Sequence, residues 1–246
     1  MKKVLRWIYS RYCLAVFALI FLALTPLFLI FIQKPSWKQY ALTLNRWWAV
    51  WFFAISRIPV KQVYHQPITG DDPLIFCANH TSFLDIPLIG LNPNRFVFVG
   101  KSSIGKVPLF GYIYRKIHIT VDRNKLRSKY QTLHSAGEEI DQGRSLVMFP
   151  EGGTAKNPPK LSAFKDGPFR IAIEKQIPIV PVTIPYNWII LPSHPSLMVN
   201  RRKALIVYHQ PVPTQGLDLN DVEALKAKVV MIINKEIQKF HPHGHK

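Results

Sequence analysis

Cysteine is nearly absent. The 246 residues hold two, Cys13 inside an apolar run and Cys77 in a predicted strand. Two thiols in such different settings make no disulfide framework, and without a C-x-x-C pair a zinc ribbon is excluded. This sparing use fits a reducing compartment. Acidic residues are also scarce, 14 against 32 Lys and Arg, so the formal net charge is +18. A surplus of that size calls for an anionic partner, either nucleic acid or an anionic membrane surface. Low hydropathy is lacking too: hydrophobic residues make up 48% and mean hydropathy is +0.06, which excludes a disordered chain and is too polar for a multi-span membrane protein. No internal repeat occurs, and residues 12–32 contain no charge at all.

That uncharged run, YCLAVFALIFLALTPLFLIFI, is long enough to cross a bilayer, for which about 20 apolar residues suffice. Lys2, Lys3, Arg6 and Arg11 precede it. A signal peptide has a shorter core and a small-residue cleavage site, and Ile30 to Pro35 offers none. A second apolar segment, Trp47 to Ile55, lies between Arg46 and Arg57 and is too short to span. It holds three of the six tryptophans, whose amphipathic rings favour the headgroup level, so it is expected in the interface. Two topologies follow. One crossing with a cytoplasmic N-terminus puts residues 61–246 outside, whereas an interfacial helix pair keeps both ends on the cytoplasmic side. The pair serves either as a plain tether or in substrate access.

From about residue 61 short runs rich in Val, Ile and Phe alternate with helical stretches. Strands are predicted at Leu74–Cys77, Arg95–Val99, His118–Val121, Ser145–Phe149, Ile179–Ile184 and Ala204–Tyr208. Near-continuous apolar runs of this length suit a parallel sheet buried on both faces. Leu126, Tyr130, Leu133, Gly137 and Ile140 predict one helix face, and Leu225, Val229, Ile232, Ile233 and Phe240 predict a closing helix. The fold expected is α/β, a mostly parallel central sheet flanked by helices behind a membrane-embedded two-helix segment. Its parts are 1–60 for the membrane-associated helices, 61–240 for the catalytic domain and 241–246 for a disordered tail.

Two strand ends carry candidate chemistry. Asn79-His80-Thr81-Ser82-Phe83-Leu84-Asp85 follows one predicted strand and opens into a helix, where α/β folds place ligands. A histidine in this place suits a general base, because an imidazole's ordinary pKa lies near neutrality, and Asp85, if the chain turns, can fix the tautomer of His80 and support the imidazolium. The plainer alternative is a loop histidine followed by a helix cap. Phe149-Pro150-Glu151-Gly152-Gly153-Thr154 ends another strand, and its glycines let backbone N–H groups approach a ligand. An ordinary strand-ending turn fits the same residues.

Together these stretches resemble the glycerolipid acyltransferase family. Its first block, N-H-x-S-x-x-D, is matched by Asn79, His80, Ser82 and Asp85, and its third, F-P-E-G-T-R, by Phe149, Pro150, Glu151 and Gly152. Ile119-Thr120-Val121-Asp122-Arg123 fits the second block, Ile179-Val180-Pro181-Val182 the fourth, and Lys101 a basic position before the second. The third block departs by an added glycine, Gly153, and by Ala155 where an arginine is expected; Lys156, Lys160 and Lys165 stand nearby. The resemblance implies acyl transfer from acyl-CoA or acyl-carrier protein to the sn-2 hydroxyl of lysophosphatidate, at a membrane on its cytoplasmic face, with no metal or redox cofactor. It implies catalytic roles for His80 and Asp85, and substrate contacts from Asn79, Ser82, Lys101, Arg123, Glu151, Gly152, Gly153 and Thr154. Arg123 and Lys101 would hold the phosphate, and N–H groups around Gly152 and Gly153 the oxyanion. The missing arginine leaves another lysolipid acceptor, such as a lyso-aminolipid, as an alternative. A nucleic-acid binder would explain the charge but not the uncharged run.

Overall fold

A computed structural model describes residues 2–68, 72–122, 126–193 and 197–242. Two helices open the chain, α1 (Lys2–Phe31) and α2 (Lys38–Ile55), joined through a 3-10 turn at Pro35–Trp37. They run antiparallel: Tyr9 and Tyr12 hydroxyls donate to Ser56 O and Ile55 O at one end, and Phe31 meets Tyr40 at the other. At 1.5 Å per residue α1 is about 45 Å long. Apolar residues lie all round it: Cys13, Val16, Phe21 and Phe28 are buried, while Leu5, Leu14, Leu19 and Leu22 are exposed. The second segment is longer than its apolar part suggested, because Lys38 to Arg46 also form helix and bury Ala41 and Leu42.

Among the described residues seven strands follow: β1 (Val60–Tyr64), β2 (Ile75–Ala78), β3 (Phe96–Lys101), β4 (Ile119–Val121), β5 (Ser145–Met148), β6 (Ile179–Thr183) and β7 (Ala204–Tyr208). Helices are interspersed as α3 (Asp85–Ile89), α4 (Phe110–Ile117), α5 (Leu126–Asp141), α6 (Gly167–Glu174), α7 (Asn187–Ile190) and α8 (Val222–Phe240). The strand order is β1-β7-β6-β2-β5-β3-β4, and every pairing is parallel except β6 with β7. The sheet is thus mixed but mostly parallel, and helices cover it, as expected. β2, β5, β6 and β7 are buried at every residue, which is why they read as unbroken apolar runs. Alternate side chains sort to opposite faces: Ile75 and Cys77 pack with Val229 and Ile233 of α8, whereas Phe76 and Ala78 pack with Leu84, Leu88 and Phe52.

Three expectations need correction. β1 was not foreseen, because Val-Lys-Gln-Val-Tyr is a largely exposed edge strand with no apolar run. Tyr130 is 65% exposed, whereas Leu133, Gly137 and Ile140 of the expected stripe do pack inward, joined by Thr132 and Ala136. His241 is no frayed residue: its Nε2–H donates to Pro185 O at 2.9 Å and its ring lies against Tyr186 and Trp188. The remainder of the predicted tail, residues 243–246, lies outside the described residues.

The helix pair is built into the core. Trp48 and Phe21 pack on each other and on Phe110 of α4, and Trp48 Nε1–H donates to Phe17 O. Near the start of α1, Arg6 donates to Met198 O and Ser10 Oγ accepts from Val199 N–H. Contacts with the sheet-bearing part therefore run from Arg6 to Phe21 along α1.

Candidate active site

β2 and β5 are parallel neighbours, so their C-terminal ends lie side by side. This register brings together two motifs 71 positions apart. His80 N–H donates to Glu151 Oε1 at 2.8 Å, and Ala155 N–H returns a bond to His80 O at 2.7 Å. β6, on the other side of β2, fixes the preceding residue: Asn79 Nδ2 donates to Ile184 O and its Oδ1 accepts from Ile184 N–H.

The turn from His80 to Asp85 closes on itself. Asp85, fully buried at the start of α3, accepts at Oδ2 from Thr81 N–H (2.7 Å), Ser82 N–H (2.9 Å) and His80 Nδ1 (2.9 Å). Its Oδ1 accepts from Asn187 Nδ2 at 2.8 Å. Because a carboxylate only accepts, Nδ1 must carry the proton, and Nε2 keeps its lone pair. The imidazole stacks on Phe149 with centroids 4.2 Å apart. His80 is thus held in one tautomer and one orientation, with 13% of its side chain exposed. A histidine so placed can take a proton from a substrate hydroxyl, and Asp85 stabilises the cation that forms.

Asn79, Ser82 and Glu151 hold this turn in place. Ser82 is fully buried; its hydroxyl donates to Leu191 O at 2.6 Å and accepts from Leu84 N–H. Glu151 is 8% exposed and receives His80 N–H on one oxygen and Ser162 N–H on the other, each at 2.8 Å. Burial pushes its carboxyl pKa up, and these two N–H donors pull it back. Asn187 and Ser162 were missed by sequence reasoning; each meets the motif only through the tertiary fold, and neither carries a local signal.

An apolar cavity of about 460 Å³ opens between the helix pair and the sheet. Phe83 and Leu84, the residues inside the His80–Asp85 turn, line it together with Phe17, Trp48, Phe52 and Phe110. The dyad therefore stands beside a slot with room for a hydrocarbon chain.

Residues 59–185 match the family described as Acyltransferase, which is 127 of 246 positions and includes every motif above. The chain belongs to the acyltransferase family. It is 26% identical over 193 residues to a chloroplastic 1-acyl-sn-glycerol-3-phosphate acyltransferase of Brassica napus, covering 78% of this chain and 56% of the relative. It is 28% identical over 194 residues to the lyso-ornithine lipid O-acyltransferase of Pseudomonas aeruginosa, covering 71% and 72% of the two chains. The crystal structure of the 1-acyl-sn-glycerophosphate acyltransferase PlsC from Thermotoga maritima superposes with TM-score 0.78 at 22% identity, over 100% of both chains, and shares the fold. The chain spans about half the length of the first curated relatives it matches.

Where the chain departs from the family's third block, the loop is built differently. Gly152 has φ +76°, a conformation that favours glycine, and a Cβ there would come within 2.8 Å of Lys165 Cε. Its N–H is committed to Phe149 O at 3.0 Å, so it is not the oxyanion donor foreseen from sequence. Gly153, Thr154, Lys156 and Lys160 line a polar cleft of about 530 Å³ beside Glu151. Lys101 is exposed at the end of β3, where it pairs with Val121 of β4. Arg123 lies outside the described residues, two positions past the end of β4.

Proposed function

We propose that the chain transfers a fatty acyl group from a thioester, acyl-CoA or acyl-carrier protein, to the sn-2 hydroxyl of lysophosphatidate, forming phosphatidate. The observation that carries this reading is a histidine–aspartate dyad fixed in one tautomer beside an apolar cavity. His80 Nε2 takes the hydroxyl proton, and Asp85 holds Nδ1–H and stabilises the imidazolium. The alkoxide attacks the thioester carbonyl. As the tetrahedral intermediate collapses, the carbon–sulfur bond breaks and His80 returns its proton to the leaving thiolate. The Gly153 N–H, in the turn next to the dyad, is the candidate oxyanion donor. Asn79, Ser82 and Glu151 act as positioning residues, since their polar side-chain atoms are spent on holding the turn. Lys101 and Arg123 hold the acceptor phosphate, with Lys156 and Lys160 of the polar cleft, and Lys165 beside Gly152, supplying the positive charge that the absent arginine would give. No metal or redox cofactor takes part.

Residues 1–60 serve as a membrane-embedded helix pair and 61–240 as the catalytic part, working at the cytoplasmic face. Support for an interfacial pair comes from α1: a helix that touches the sheet-bearing part from Arg6 to Phe21 lies along that part and leaves too little length to cross alone. Its outward Leu5, Leu14, Leu19 and Leu22, with Trp47 and Trp51 of α2, form an apolar surface suited to one leaflet.

A second reading, a lyso-aminolipid acceptor, is favoured by the altered third block and by the Pseudomonas relative. A panel of lysolipids decides between them: purified protein should acylate lysophosphatidate with the highest kcat/KM. Preference for lyso-ornithine lipid would replace the first acceptor by the second, and no transfer to any lysolipid would end both.

A further inference from the structure

β1 and β7 pair in parallel with Tyr64 opposite Tyr208, so the next residues, His65 and His209, emerge side by side from the same edge. Their rings are 4.8 Å apart and perpendicular, and His65 N–H donates to Tyr208 O. A third group arrives from α8. The inner face of that helix is Val222, Leu225, Val229, Ile233 and Ile237, and Glu236 sits among them, only 7% exposed. One donor atom each from His65, His209 and Glu236 lies within 4.8 Å of the others. A carboxylate on an apolar helix face is costly unless positive charge meets it. Lys239, one turn along and more than half exposed, meets it in part, at 2.6 Å.

We infer that His65, His209 and Glu236 form a divalent metal site, with zinc the ion that suits them, that clips the sheet edge to α8. Two imidazoles and one carboxylate are a recognised zinc donor set, leaving a fourth position for water. Zinc holds its donors about 2.0–2.2 Å away, so closure needs a shift of roughly an ångström, which the exposed His65 can make. His209 is already oriented: its Nε2 lies 2.9 Å from Thr183 Oγ1, and its backbone N–H donates to Pro181 O. Such outer partners fix the ring of a ligand histidine. The cluster is separate from the proposed chemistry. Val182 and Ile184 pack with Leu84 and Leu88 on the α3 side of the sheet, so Thr183 between them faces the α8 side. An ion there would act on stability, by tying an edge strand to the last helix.

The test uses full-length protein in detergent, stripped with chelator and then titrated with zinc. A variant with His241→Ala, His243→Ala and His245→Ala combined removes binding by the terminal histidines. That variant should keep one equivalent of zinc by elemental analysis, and its Tm should rise by about 5–10 °C at zinc a hundredfold above Kd. Cobalt in place of zinc should give the absorption of a four-coordinate ion. Adding His65→Ala or Glu236→Gln should abolish both the stoichiometric ion and the Tm shift, while acyl transfer in metal-free buffer stays at its starting level. His65 is exposed, so its loss leaves folding intact. Zinc that departs with the terminal histidines, or that persists in His65→Ala, overturns the site, and so does the absence of a Tm shift in the terminal-histidine variant.

Discussion

Asp85 satisfies four donors with two oxygens, and only one of the four is the imidazole. Asp85→Asn would put an NH₂ group against these donors and remove the charge that supports the imidazolium. It should lower kcat by about 10²–10⁴-fold, while His80→Ala should lower turnover at least as far without unfolding the protein. Circular dichroism and single-turnover kinetics on the two variants check this, and near-normal turnover in His80→Ala would remove the dyad mechanism. For the acceptor, Arg123→Ala should raise KM for a phosphate-bearing lysolipid by about tenfold or more and leave the donor KM alone. A rise in the donor KM instead would place Arg123 on the thioester side. His80 and Asp85 were legible in sequence because one strand-end motif carries them together, and Glu151 because a second strand-end motif carries it. Asn187 was not, since it approaches Asp85 from 102 positions away.

At the scale of elements, His118 shows how α2 is tied to the sheet. Phe98 N–H of β3 donates to its Nδ1, and the Asn45 amide of α2 faces its Nε2 at 3.1 Å. Protonating Nδ1 would set two donors face to face in a buried place. Burial first, and the charge of Lys38 second, lower its pKa from the ordinary 6.5 to about 3. As pH falls below 6.5 the unfolded chain therefore binds a proton that the folded chain refuses, and stability is lost progressively down to about pH 3. His118→Gln removes this contribution, so chemical denaturation at several pH values should show a shallower acid limb; an unchanged slope would contradict it. The helix pair was legible from its apolar residues, but the register of α2 was not. Its first turns are mildly polar, and only contact with α1 and the sheet shows which side is buried.

For the whole molecule, the arrangement at the membrane gathers the charge surplus, the exposed apolar faces of α1 and α2, and the cavity mouth at Phe83. Trp47 and Trp51 are 45% and 52% exposed and pack into neither core cluster, so Trp47→Asp with Trp51→Asp should spare folding and weaken vesicle binding by about tenfold or more. The remaining affinity for anionic vesicles should fall as salt is raised, because it rests on basic residues. Sedimentation with vesicles of stated anionic content measures both effects; binding that ignores both changes would reject an interfacial membrane contact. A reporter fused after Lys246 should remain cytoplasmic, and its exposure on the other side would overturn the interfacial topology and the cytosolic donor. Sequence alone determined six of the seven strands found among the described residues, the strand-end motifs and the membrane-seeking start, because each is written in contiguous residues whose burial or chemistry is local. Tertiary structure alone decided that the helix pair shares the core instead of acting as a detachable tether, since Phe21 and Trp48 reach Phe110 only when α4 folds beneath them. It also decided that Glu236 faces two histidines from the far edge of the sheet. Helical periodicity marks the position as inward, and strand register, which no single segment encodes, supplies its neighbours.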